Sequence, residues 1–242
     1  MKKIFNHIKE NWIKYSFEIL VITVGILAAV GMDNLNENRK NRHTEQKMLK
    51  DLANGLLGDL NTFQYNIDIH EQAQNSCEII LNVMEDNGEF ADSLASYFAA
   101  THYYTVSFSK RGAYESLKSM GFEIISNQNL KIELIDLYEQ WYRILQVNQE
   151  ILREDIQNVK RTFNHDYFNQ FHIFDATEPE SFYGGKMTPI DFQNLKLNHQ
   201  YIYNLKSLHS GHSAFLFLLN YSVDQVDDII DQLNHEINRL TN

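Results

Sequence analysis

One run of the chain, residues 15–32 (YSFEILVITVGILAAVGM), restricts its possible folds more than any other. From Ile19 to Met32 it carries no charge and a single hydroxyl, Thr23. At the helical rise its length is about 27 Å, close to the thickness of bilayer hydrocarbon. Trp12 and Tyr15 stand just before it, where amphipathic rings favour a membrane interface, and Asp33, Asn34, Asn36, Glu37 and Asn38 close it abruptly. The pattern predicts one transmembrane helix over 15–35 behind a basic leader, 1–14, that carries Lys2, Lys3, Lys9 and Lys14. A buried core helix and a cleaved signal peptide, with Ala29 and Gly31 before a cut at Met32, are the competing readings. The position behind a lysine-rich leader argues against the first. Glu18 at the start of the apolar run and a helical pattern that continues beyond it argue against the second. Glu18 itself is a membrane-embedded carboxylate, costly unless it snorkels, pairs or takes a proton. It is expected at the interface, one turn from Lys14.

The remaining residues, 36–242, suffice for one sizeable core. Only 2 prolines and 10 glycines argue for long helices with few turns. The formal charge of −11 sets nucleic acid aside as a partner. The single cysteine, Cys77, rules out an internal disulfide framework. Leu49, Leu52, Leu56, Leu60, Phe63 and Ile67, followed by Ala73, Cys77, Ile80 and Met84, recur with a mean step near 3.6. That is the period of a straight amphipathic helix in a bundle. The run 85–88 (EDNG) ends it. A shorter helix is expected at about 91–104, then a loop or extended piece through THYYTVSF at 101–108. The run 110–120 reads as a helix stopped by Gly121, with Ser126 or Asn127 capping the next one.

That next helix is expected at about 128–168. Residues 172–198 hold Pro179, Pro189 and the Gly184–Gly185 pair and read as the one long irregular loop, packed down by Phe174, Phe182, Tyr183, Met187 and Phe192. A last helix at about 198–240 carries Ile202, Leu205, His209, His212, Leu216, Leu219, Val223, Val226, Ile230, Leu233, Ile237 and Leu240. The steps alternate 3 and 4 without a slip, a heptad seam of the coiled-coil kind. Gly211 in its middle costs roughly 1 kcal/mol against alanine and points to close helix approach or a kink. The fold expected is therefore all-α: a transmembrane helix, then a bundle of four to five long helices.

Two segments carry a resemblance. The run 18–42, EILVITVGILAAVGMDNLNENRKNR, resembles the N-terminus of an uncharacterised family of bacterial single-pass membrane proteins, of the form GEIxLVVxGILIAL followed by NNWNExRKxR. Phe17 stands where that family has glycine, Leu35 where it has tryptophan, and Gly31–Met32 depart from its usual pair. The run 113–130, AYESLKSMGFEIISNQNL, is similar to a second family segment, tYxxLKSSGxxxxIxNxxL, with Tyr114, Leu117, Lys118, Ser119, Gly121 and Asn127 matching. The resemblance implies a membrane anchor and a helical domain, and no activity. In physical terms the second segment is a helix, a glycine stop and a recapped helix. Lysine-rich leaders stay inside, and although Arg39, Lys40, Arg42, Lys47 and Lys50 nearly balance the count, the expected placement is the inner membrane with the domain on the periplasmic side.

Few residues suggest chemistry. His209 and His212 lie three apart on one helical face, and with His165, His70 or His102 they are the only weak metal candidates. No HExxH, CxxC, GxSxG or phosphate loop is present, and Cys77 falls on a buried stripe. The competing explanations for the histidines are a hydrogen-bonded core pair and a pH-sensitive switch. Tyr103, Tyr104, Phe108, Tyr138, Trp141 and Tyr142 form either a thick aromatic core or a groove for a ligand or peptide. No catalysis and no cofactor are expected. The expected partners are the lipid bilayer and a protein, or a second copy of the chain. The leading expectation is a membrane-anchored scaffold or interaction protein. A ligand or pH sensor built on the aromatic groove or the His209/His212 pair is the second.

Overall fold

The computed structural model of the chain describes residues 12–106, 109–169 and 184–241. The expectations for Lys2, Lys3, Lys9, Phe108, Phe174, Pro179, Phe182 and Tyr183, and for the side chains of Trp12, Lys14 and Tyr15, lie outside the described residues.

The described chain is all-α. One helix, α1 (Trp12–Glu85), runs unbroken through the apolar stretch, the polar run after it and the first helix of the bundle. At 74 residues it is about 110 Å long. It is the one described helix long and apolar enough to cross a membrane. Residues 16–43 are exposed on every side, and burial begins only at Thr44 and Glu45. Residues 33–43 therefore form a solvated single-helix stalk, rich in asparagine, that none of the described residues packs against. Glu18 lies on the outside of the helix. The helix ends where the sequence says it should: Asn87 takes a left-handed φ of 53° and the Gly88 N–H closes back on the Val83 carbonyl at 2.8 Å.

Four paths run side by side from Glu45 onward. The second consists of α2 (Leu94–Ala100), irregular backbone at 101–106 and 109–111 and α3 (Gly112–Met120), and it returns along α1. Gly121 stops α3 at φ 96°, a 3₁₀ turn follows at Phe122–Ile124, and the Asn127 side chain caps the next helix by accepting from the N–H groups of Asn129 and Leu130. The family-like segment is thus the expected stop and restart. Gly121→Ala is expected to cost about 1–3 kcal/mol, because the strain is in the backbone and nothing crowds the new methyl. A shift of the urea midpoint measures it.

The third path is α4 (Gln128–Asp136), a π turn (Leu137–Trp141), α5 (Tyr142–Val159), a second π turn (Lys160–Asn164) and α6 (His165–Tyr167). Beyond it, Phe168 bridges to Pro189, and α7 (Phe192–Lys196) occupies part of the expected loop. The fourth path, α8 (His199–Thr241), runs back along the full buried length of α1. Its antiparallel sense is set by Lys206 with Glu85 at one end and Gln46 with Thr241 at the other.

The two longest helices bury positions that alternate by 3 and 4. On α1 these are Glu45, Leu49, Leu52, Leu56, Asp59, Phe63, Asn66, His70, Ala73, Cys77, Ile80 and Met84. The expected straight 3.6 period is corrected to 3.5: polar residues occupy four seam positions and Leu60 is only half-buried. On α8 the buried series is Tyr201, Leu205, Leu208, His212, Phe215, Leu219, Ser222, Val226, Ile229, Leu233 and Glu236. Half the predicted seam is in place. The other half is turned by one residue, so that His209 and Val223 sit at the flank. Gly211 is a close approach, as a Cβ there would stand 2.9 Å from the end of the Leu152 side chain.

Three of the four polar seam residues, Glu45, Asp59 and His70, have a common cause. The second path is not helical over 101–106 and 109–111, so its backbone must find partners elsewhere. Asp59 accepts the Lys110 N–H at 2.8 Å, Gln149 donates to the Thr105 carbonyl at 2.7 Å, and His70 bonds the Thr105 hydroxyl at 3.0 Å. At the next irregular link Glu45 accepts both the N–H and the hydroxyl of Ser126, at 2.6 and 2.8 Å.

Candidate functional site

The structure divides the predicted aromatic group among separate places. Tyr103 is buried with Ile69, Ala73 and Ala100. Tyr104 is half-buried, with the Lys160 ammonium 5.8 Å from its ring centre. Tyr138 is buried and stacks on Tyr114 at 4.3 Å, with the Arg111 guanidinium over both rings. Tyr142 is buried and donates to Asp59 at 2.8 Å. Burial raises the Asp59 carboxyl, against the Lys110 N–H and Tyr142 O–H that pull it down, and burial beside that carboxylate raises the Tyr142 phenol. These tyrosines are core, which corrects the expectation of one shared groove.

Tyr142 edges a recess of about 250 Å³ with Phe63 and Arg111, and Trp141 faces a separate groove. The π turn that carries Trp141, closed by the Tyr142 N–H on the Leu137 carbonyl, fits an extra residue into one turn, a feature often found at functional sites. It leaves Tyr138 and Tyr142 in the core while Trp141 lies toward α8. There the indole N–H donates to Ser222 Oγ at 2.9 Å, and the ring meets Tyr221 at 4.5 Å with 55° between the planes. The groove beside them has a volume of about 460 Å³ and is lined also by Ile144, Glu133, Asp136 and Asp228. No lysine or arginine lines it, and none of the three carboxylates forms an ion pair among the described residues. Glu133 and Asp136 instead accept from the amides of Gln232 and Gln140.

The histidines assemble differently from the prediction. His212 is buried and pairs with His70 on α1, Nδ1 to Nδ1 at 2.9 Å, while His209 is at the flank. His165 is exposed and bonds Asp166 at 2.9 Å. His102 is buried nearby, and neither of its ring nitrogens has a hydrogen-bond partner among the described residues, nor does Nε2 of His212. Desolvation pushes His70 down to about 4. It pushes His212 to about 3, with the charge of His70 adding to it, and His102 to about 3, with Lys160 adding. The Nδ1–Nδ1 contact needs one ring to donate and the other to accept, so both cannot be doubly protonated. Among the described residues no group of three His, Cys, Asp or Glu side chains is placed to hold a metal ion. Cys77 is buried and its thiol is pushed up to about 12, as expected of an inert core sulfur.

The profile of a family of unknown function (DUF6090) matches residues 18–177. The chain belongs to this family. No curated protein and no solved structure matches it. The DUF6090 match takes in the apolar helix, the second path and the whole third path, including Trp141, and ends before α8. Tyr221 and Asp228 of the groove, and His212, therefore come from outside the matched region. Sequence reasoning identified Trp141 but not Tyr221, which stands midway between the predicted seam positions Leu219 and Val223 and so carries no seam signal.

Proposed function

We propose that this DUF6090 protein is a membrane-anchored helical interaction module and not an enzyme. Its first helix crosses the bacterial inner membrane once, and the bundle stands on the periplasmic side. The observation that carries the reading is the continuity of α1, in which an exposed apolar run, a solvated stalk and a buried seam follow one another in a single helix. An exposed apolar surface of that length has no place in water. The stalk then holds the bundle about 18 Å clear of the bilayer. The non-catalytic part of the reading is supported by the buried carboxylates. Glu45, Asp59 and Glu236 are each committed to donors that the fold itself supplies.

Membrane fractionation tests the anchor. The intact chain is expected to stay in the pellet after alkaline carbonate washing, and recovery in the supernatant would overturn the reading. Side is tested with Ser210→Cys, an exposed position on α8. Buried Cys77 gives no background, so labelling of unpermeabilised cells by an impermeant maleimide is expected, and labelling only after lysis would reverse the topology. A second reading, pH sensing, is supported by the buried His70–His212 contact rather than by the His209/His212 pair.

A further inference from the structure

The groove between the third path and α8 combines two kinds of wall. One wall is the indole of Trp141 with the phenol of Tyr221, set at an angle. The indole N–H is already spent on Ser222, so what the ring offers to an occupant is its π face. The other wall is carboxylate: Glu133 and Asp136 from α4, and Asp228 from α8. On an open helix surface such acids would be a solvated face and nothing more. Here they border a recess of about 460 Å³, within the size range of small-molecule sites, and no basic side chain neutralises them.

An occupant must match both walls. An anion is repelled. A neutral apolar molecule leaves three carboxylates without a counter-charge. A compact, strongly hydrated metal ion gains nothing from the rings. A positive charge spread over carbon satisfies both, because an aromatic face attracts a quaternary or alkylated ammonium and the carboxylates add long-range attraction. We propose that this groove is a binding site for a small organic cation of the alkylammonium class.

The height of the groove decides between two sources of such a group, a lipid headgroup and a dissolved molecule. Tyr142, adjacent to Trp141, bonds Asp59 of α1, and Asp59 is about 40 Å along the helix from the end of the apolar run at Met32. That is beyond the reach of a phospholipid headgroup, so the ligand is a dissolved cation. The inference does not depend on which side of the membrane the bundle occupies.

The sequence has 2 tryptophans, so Trp12→Phe leaves Trp141 as the sole indole reporter. The full chain in uncharged detergent is titrated with choline, and separately with 3,3-dimethylbutan-1-ol, its neutral isostere, at constant ionic strength. A saturable change in Trp141 emission is expected with choline and at least tenfold weaker binding with the alcohol. Asp136→Asn together with Asp228→Asn is expected to weaken choline binding at least tenfold while the circular dichroism and melting temperature stay unchanged. Equal responses to the two probes overturn the assignment, as does a choline response that survives the double substitution. If choline gives no response, benzyltrimethylammonium is titrated in its place, and its failure to produce a saturable change ends the proposal.

Discussion

Acidification from pH 7 toward 4.5 is expected to unfold the bundle, with the loss beginning well above the range in which carboxylates titrate. His70, His102 and His212 are buried and neutral in the native state, with values lowered to about 4, 3 and 3. In the unfolded chain each returns to about 6.5. For a base whose folded value is depressed, the stability is complete above the unfolded value and is lost as the pH falls toward the folded one. Near pH 5 the unfolded chain therefore holds about three protons that the native chain does not. By linkage, stability falls there by about 4 kcal/mol per pH unit. An ordinary domain has about 5–15 kcal/mol to lose. Asp59 works in the opposite sense, because its raised carboxyl value means that protonation relieves part of its burial cost as the pH falls. The measurement is a set of urea midpoints between pH 7.5 and 5. His102→Leu removes a side chain with no hydrogen-bond partner and is expected to cut the slope by about a third. A midpoint independent of pH across that range would refute the account of these three histidines as buried bases.

The second large effect is expected at Asp59. Its carboxylate takes one bond from the Lys110 N–H and one from the Tyr142 hydroxyl, each 2.8 Å long, in a place closed to water. Asp59→Ala leaves both donors without an acceptor, at about 1–3 kcal/mol each, so a loss of about 3–5 kcal/mol is expected. Asp59→Asn keeps an acceptor for the backbone N–H and removes a desolvated charge, and should lose about 1 kcal/mol. Tyr142→Phe removes only one of the two donors and should fall between them. Denaturant titration of the three variants orders them. An alanine variant no weaker than Tyr142→Phe would show that Lys110 finds another partner and that the irregular second path does not depend on Asp59.

The comparison of sequence with structure shows where pattern reading succeeds. The fold class, the apolar span, the Gly121 stop, the Asn127 cap and the buried Cys77 were all legible, because each depends on neighbours in the chain. The seam of α1 was not. Glu45, Asp59, Asn66 and His70 occupy its buried positions and make a 3–4 alternation look like a 3.6 period. Glu45, Asp59 and His70 stand there to answer breaks in a different path, which no local pattern reports. On α8, apolar residues stand on both sides of the true line. Leu216 and Ile230 are buried beside Phe215 and Ile229, so hydrophobicity alone could not choose between two adjacent stripes. The groove was half legible for a related reason. Trp141 announces itself, whereas Ser222 and Tyr221 reach it from about eighty positions away. The histidine contact joins residues 142 apart, and no spacing rule connects them.

The unbroken course of α1 fixes an azimuth as well as a height. Every residue between the apolar run and Glu45 turns whatever stands above it by about 100° and lifts it by about 1.5 Å. The direction in which the Trp141 groove looks relative to the apolar run is thus encoded in the number of stalk residues, much as the bitting of a key depends on the cut of its shank. One inserted residue would turn the groove by about 100° relative to the apolar run. Seven would bring it almost back, two turns higher. Length in this helix is information about orientation, and the chain keeps it through the helix itself.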